Sequence, residues 1–212
     1  MRRKLVFILL AMIIAVATLS YAVEPTETEL DAFNAALELH DRSNKPYPEN
    51  DPSIPPDPSI PTPEELKAQA IAAFRNFITT YPNCTLCATA QLYIGKCYRE
   101  LNDSVNAKAE FQKVVANYPT STLVDDARYL VAFIDYEGGN YQVALAGFNG
   151  LITDYEGNAN ENLTHQVPFA YFMVGECYRG MNDMVSARAK WNELIVKYPK
   201  HSYAGLAKKR LQ

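Results

Sequence analysis

Apolar positions recur along most of this chain with a period of about 3.6 residues, the mark of helices that bury one face. Four stretches repeat one pattern without gaps: residues 70–82, 107–119, 144–156 and 187–199. The steps between them are 37, 37 and 43 residues. In each stretch a small residue (Ala70, Ala107, Ala144, Ala187) precedes an aromatic by four places (Phe74, Phe111, Phe148, Trp191). An apolar pair, aliphatic in the last three stretches and Phe77-Ile78 in the first, and a tyrosine follow on the same helical face. Pro82, Pro119 and Pro199 then end three of the stretches, and Glu156 stands in that place in the other.

Ahead of the last three stretches lies a second helical pattern. It runs through Leu92, Ile94, Gly95, Cys97 and Tyr98, then Tyr129, Val131, Ala132 and Ile134, then Phe172, Val174, Gly175, Cys177 and Tyr178. The pairs Asn102-Asp103, Gly139-Asn140 and Asn182-Asp183 are turn formers and separate the two helices of each unit. The chain therefore reads as helix–turn–helix hairpins over residues 88–124, 125–167 and 168–201. A lone hairpin cannot bury its apolar face, but stacked neighbours bury one another's. A helix from Pro63 to Thr80 should cap the front of the stack, and one from Ser202 to Leu211 should close the back. The basic Lys208-Lys209-Arg210 end of the latter suits the negative end of a helix dipole. The six residues that lengthen one step fall within 156–165, a polar segment expected to be a surface loop.

The first 63 residues have other textures. Arg2, Arg3 and Lys4 precede an apolar or small run from Leu5 to Leu19, and Ser20-Tyr21-Ala22 ends it with small residues at both cleavage-specifying places. Residues 1–22 thus read as a secretory signal peptide, with an uncleaved anchor as the alternative. No cysteine follows the run, so attachment by lipid is disfavoured. Residues 23–44 form an arm in which Leu30, Phe33 and Leu37 share a face of a short helix from Glu27 to Asp41. Residues 45–63 contain Asp51-Pro-Ser-Ile-Pro and Asp57-Pro-Ser-Ile-Pro, which favour an extended spacer over helix or sheet.

Composition narrows the function. The 212 residues carry 20 basic against 24 acidic side chains, a balance of −4 that becomes −7 without Arg2, Arg3 and Lys4. An acidic protein opposes the phosphate neutralisation that drives nucleic-acid binding. No phosphate-cradling glycine loop, zincin motif or nucleophile elbow occurs. His40, His165 and His201 are scattered and join no cysteine cluster, so neither a metal nor another cofactor is expected. Asp125-Asp126 points two ways on a helix and reads as solvated surface or cap charge. Cys84 and Cys87 form a C-x-x-C at a helix start, where a thiolate is favoured. The strand–helix context of thioredoxins is missing, and a local disulfide in an oxidising compartment is the expectation. Inert thiols and redox catalysis are the alternatives. Cys97 and Cys177 occupy the repeat place of Ile134 and read as small buried hydrophobes.

The repeat pattern resembles the tetratricopeptide-repeat (TPR) family. Its first-helix small residue corresponds to Gly95, Ala132 and Gly175, and the aromatic three places later to Tyr98 and Tyr178, with Asp135 breaking the pattern. Its second-helix alanine, aromatic and closing proline match Ala107, Ala144 and Ala187; Phe111, Phe148 and Trp191; Pro119 and Pro199. The 37-residue step and Tyr-Pro ending look most like the envelope subgroup typified by BamD-like and YbgF-like proteins, over about residues 64–212. The resemblance implies an all-α, right-handed solenoid of stacked antiparallel hairpins acting as a non-catalytic, extracytoplasmic adaptor for protein partners. Outer-membrane assembly and the Tol-Pal division system are the implied settings. It places Leu92, Lys96, Arg99, Tyr129, Phe133, Tyr136, Phe172, Glu176 and Arg179 on the concave, partner-binding face. The N-terminal arm or the last helix could instead cover some of these aromatics. A thiol–disulfide redox protein using Cys84 and Cys87, or a self-assembling repeat protein, are the rival functions; no small-molecule substrate is expected.

Overall fold

The computed structural model describes residues 24–45, 60–156 and 166–212. The expected signal peptide, most of the proline-rich spacer and the inserted segment after Glu156 lie outside the described residues. Among the described residues every regular element is a helix. In chain order they are α1 (Glu27–Ser43), α2 (Pro63–Thr80), α3 (Cys87–Glu100), α4 (Ser104–Asn117), α5 (Val124–Glu137), α6 (Tyr141–Tyr155), α7 (Val167–Gly180), α8 (Met184–Lys197) and α9 (Ser202–Leu211). Consecutive helices pack on one another, which makes a right-handed solenoid of antiparallel hairpins α3/α4, α5/α6 and α7/α8. None of the described helices is long and apolar enough to cross a membrane.

Local sequence sets each boundary. Asn102 and Asn182 adopt the left-handed region (φ 59° and 62°), and Gly139 does so in the middle hairpin (φ 76°). This lets the next amide reach back to the preceding helix: Asp103 N donates to Tyr98 O, Asn140 N to Asp135 O and Asp183 N to Tyr178 O at 2.8–2.9 Å. Asp103 and Asp183 then cap the following helix, accepting from the amides of Asn106 and Ser186 at 3.0 Å. Tyr81, Tyr118 and Tyr198 leave the helical region with ψ between 52° and 61° because each precedes a proline. Capping boxes start the first two helices, Thr26 with Glu29 and Thr62 with Glu65.

Inside the first and last hairpins the small residue faces the second-helix aromatic. A Cβ on Gly95 would run into the Phe111 ring, and one on Gly175 into the indole of Trp191. Phe111, Phe148 and Trp191 are wholly buried, and Trp191 Nε1 donates to Phe172 O at 3.2 Å. The buried core runs as three adjoining clusters along the stack.

The front of the stack departs from expectation. The arm helix α1 lies along α2 and reaches α3, so α2 is covered and does not form the cap. Phe33 packs on Phe74 and Phe77 with ring centroids 5.7 and 5.6 Å away and on Tyr93 at 6.4 Å. Ala36 is fully buried, His40 and Ser43 are buried, and His40 Nε2 approaches Glu100 at 3.3 Å. The arm thus fills the place that the first helix takes in every other hairpin. Leu30, expected to share a face with Phe33 and Leu37, lies nearly one turn ahead of Phe33 toward the start of α1 and is 44% exposed. Asp125, read as solvated, is also buried, in the first turn of α5, while Asp126 beside it accepts from Gln166 Nε2 at 2.7 Å.

Candidate partner-binding face

The first helices of the hairpins line one side of the solenoid, and their side chains meet from helix to helix. Phe133 and Tyr129 on α5 meet Phe169 on α7 at 6.3 and 4.8 Å, and Phe169 meets Tyr203 on α9 at 4.8 Å. Arg99 on α3 lies 5.2 Å over the Phe133 ring and 3.6 Å from Glu137. Lys96 lies 4.8 Å over the Tyr93 ring. Tyr129, Phe133 and Tyr136 are half-buried and form a row of tilted rings 5.8 and 6.3 Å apart. Burial raises the phenol pKa of Tyr129 and Tyr136, so both stay neutral hydroxyls at physiological pH.

The expected site residues divide into two sets. Lys96, Arg99, Tyr129, Phe133, Tyr136 and Arg179 reach solvent along this row. Leu92, Phe172 and Glu176 do not: they are buried at 4%, 8% and 3% exposure. Leu92 belongs to the core with Phe111 and Leu130. Phe172 is covered by Tyr203 of α9, with centroids 5.8 Å apart. Glu176 is spent internally, accepting from Arg179 Nη2 at 2.6 Å and from Arg210 Nε on α9 at 2.8 Å. Burial alone would raise its pKa, but these two guanidinium groups outweigh it and hold the carboxyl below its ordinary 4.5. The closing helix therefore seals the back third of the face. Phe169 joins the accessible row unforeseen, although it stands one helical turn before Phe172.

The cysteines are free thiols in this structure, Cys84 half-buried and the other three buried. Cys87 Sγ donates to Tyr81 O at 3.0 Å, and burial raises its pKa against the pull of the helix start. Burial pushes Cys97 and Cys177 up to about 12. Such thiols are poor nucleophiles at neutral pH. No grouping of His, Cys, Asp or Glu suited to a metal ion occurs among the described residues.

Stacked antiparallel hairpins, closely packed through small residues and offering their first helices to a shared inner face, define a TPR-type solenoid. Within that class, the outer membrane lipoprotein family YfiO matches residues 64–212, and this chain belongs to that family. The match begins at α2 and leaves out the arm helix α1. No curated protein matches the chain. Two crystal structures of MamA are similar to it. One is 20% identical with a TM-score of 0.49, covering 68% of this chain and 77% of that one. The other is 19% identical with the same TM-score, covering 64% and 66%.

Proposed function

We propose that the protein is a non-catalytic adaptor of the cell envelope that holds a segment of a protein partner on the inner face of α3, α5 and α7. The observation that carries this reading is the row Tyr129, Phe133 and Tyr136, half-exposed and flanked by Lys96, Arg99 and Arg179. Aromatic rings with arginine at the rim are the composition of binding hot spots. An extended or helical segment would lay apolar side chains on the rings and set its carboxylates against the cations. The family supports a place at the outer membrane, and the Arg2-Arg3-Lys4 and apolar start supports export. A role in outer-membrane protein assembly or in a division complex is the finer form of the same reading.

The test is affinity capture from envelope extracts with the parent protein and with a Tyr129→Ala, Phe133→Ala, Arg99→Ala variant of equal helicity. These three positions are chosen because they reach solvent, whereas Phe172 does not. A partner identified with the parent and lost with the variant supports the reading. Equal recovery by both moves recognition off the inner face and refutes it.

A further inference from the structure

The opposite, outer side of the solenoid carries the second helices α2, α4, α6 and α8, and the seams between them are not alike. Between α2 and α4 the seam is filled by Tyr98 and by a polar cluster. Arg75 Nη2 donates to Tyr98 Oη at 2.9 Å and to Glu110 at 3.0 Å, and Gln91 and Lys113 also bind Glu110. Between α6 and α8 a phenol and a polar cluster also fill the seam, but the phenol comes from Tyr171, at the repeat place that Gln91 and Arg128 hold in the other two hairpins. Tyr171 Oη donates to Glu193 at 3.1 Å and to Glu156 at 2.8 Å, with Lys190 and Lys197 closing the cluster at 2.8 Å.

The middle seam departs from this at three repeat positions at once. Asp135 stands where the flanking repeats have Tyr98 and Tyr178. Gly147 stands where they have Glu110 and Lys190, and Gly150 where they have Lys113 and Glu193. Among the described residues no ion pair joins α4 to α6. A trough is left instead, made of two depressions of about 310 and 540 Å³ that meet at Gln112, with α5 as its floor. It runs from Val105 to Ala116 along α4, on the order of 17 Å at the helical rise.

Packing accounts for only part of this. A Cβ on Gly147 would lie 2.8 Å from the Ala132 methyl, so glycine there is tied to alanine on α5. Gly150 has no such tie, because only the flexible end of Arg128 approaches, at 3.2 Å. A glycine inside a helix costs about 1 kcal/mol relative to alanine, and nothing in the fold requires it at 150. The charges of the trough are already balanced: Lys108 pairs with Asp135 at 2.5 Å and Arg128 with Asp154 at 2.7 Å. It therefore complements an uncharged group, and its walls are apolar at Val115, Val131 and Ala146.

We propose that this trough is a second docking site, a socket for an aromatic side chain, tyrosine above all, presented by a protein partner. The flanking α2–α4 seam shows what the space takes: a phenol ring with the Arg75 guanidinium 5.6 Å from its centroid and its hydroxyl bonded by that same group at 2.9 Å. In the middle repeat the ring is absent from the chain, and Gln112, which lines both depressions and holds the repeat place of Arg75, is in place to bond a hydroxyl supplied from outside. The site is independent of the inner face and lies on the other side of α5.

The test is a titration of the full chain with N-acetyl-tyrosinamide and, separately, N-acetyl-leucinamide, followed by methyl NMR. The tyrosine probe should give saturable shifts confined to Val115, Val131 and Ala146, at least tenfold tighter than the leucine probe. Two variants should each abolish the shifts: Ala146→Phe, at an exposed lip, and Gly150→Leu, both checked for unchanged helicity. Three results would overturn the proposal: no saturable shift, equal binding of both probes, or equal shifts in exposed Val185 and Val196. Concentration-dependent shifts of the trough methyls without probe would overturn it also, since a second copy of the chain would then be the occupant.

Discussion

The contact between Gly147 and Ala132 supports a prediction that can be worked through in full. Two hairpins carry glycine on the first helix (Gly95, Gly175) and a larger residue (Glu110, Lys190) at the second-helix place that Gly147 holds in the middle one. The middle hairpin exchanges the two, with Ala132 opposite Gly147, and a Cβ at 147 would lie 2.8 Å from that of Ala132. Gly147→Ala introduces an overpacking cost of about 1–3 kcal/mol and recovers about 1 kcal/mol of helix propensity, so a net loss near 1 kcal/mol is expected. Ala132→Gly loses about 1 kcal/mol of propensity and about 1 kcal/mol for a buried methyl, or about 2 kcal/mol in all. Independent effects would sum to about 3 kcal/mol. In the double variant the clash is gone and the alanine at 147 keeps its propensity gain, so the loss should be only about 1 kcal/mol, a coupling near 2 kcal/mol. Urea unfolding followed by circular dichroism at 222 nm measures all four proteins. A double variant destabilised by the sum of the single losses would show that the two helices yield at this point, and the reasoning would fail.

Other features predict measurable outcomes of their own. The lowered pKa of Glu176 means that its ion pairs with Arg179 and Arg210 stabilise the fold fully above the ordinary carboxylate range. That contribution is lost as pH falls through the lowered value, and Arg210→Gln should flatten the decline of urea midpoints between pH 6 and 3. A parallel decline in parent and variant would remove Glu176 from the account. Phe33→Ala should destabilise by about 3–5 kcal/mol, as for other buried phenylalanines; a thermal melt within a degree of the parent would mean that α1 does not hold the front of the stack. In the reduced native protein at pH 8, a thiol reagent should modify Cys84 well before Cys87, Cys97 or Cys177. Mass analysis showing early modification of Cys97 or Cys177 would contradict their burial.

Much of the architecture was legible because it rests on local rules. The helices from Pro63 to Thr80 and from Ser202 to Leu211 appear with the limits that periodicity, caps and prolines indicate. The turns fall at Asn102, Gly139 and Asn182, where a left-handed residue is needed. What the pattern could not supply is which neighbour covers a given face. Phe172 and Glu176 lie on the correct side of α7, yet Tyr203 and Arg210 reach back from α9 and enclose them. Their burial is a long-range contact with no periodic trace. The polar clusters around Glu110 and Glu193 were hidden for a related reason. Charged residues at helix positions read as solvated until the side chains of Gln91 and Tyr171 are seen to lie beside them. The arm helix was visible, but its role was not, because 19 residues separate it from α2 and hide its place in the repeat.

That separation has a thermodynamic consequence. A three-residue turn, as between α3 and α4, delivers the second helix to its partner by chain geometry alone. A connection of 19 residues does not, so the first helix of the stack behaves as a ligand carried by its own protein. Its occupancy is set by the contacts of Phe33, Ala36 and His40 and by an effective concentration, in the millimolar range for short tethers, that any competing helix from another molecule must exceed. Opening of this solenoid should therefore begin at the front, one helix at a time, with amide exchange in α1 faster than in α5 by the ratio of that local equilibrium to global unfolding.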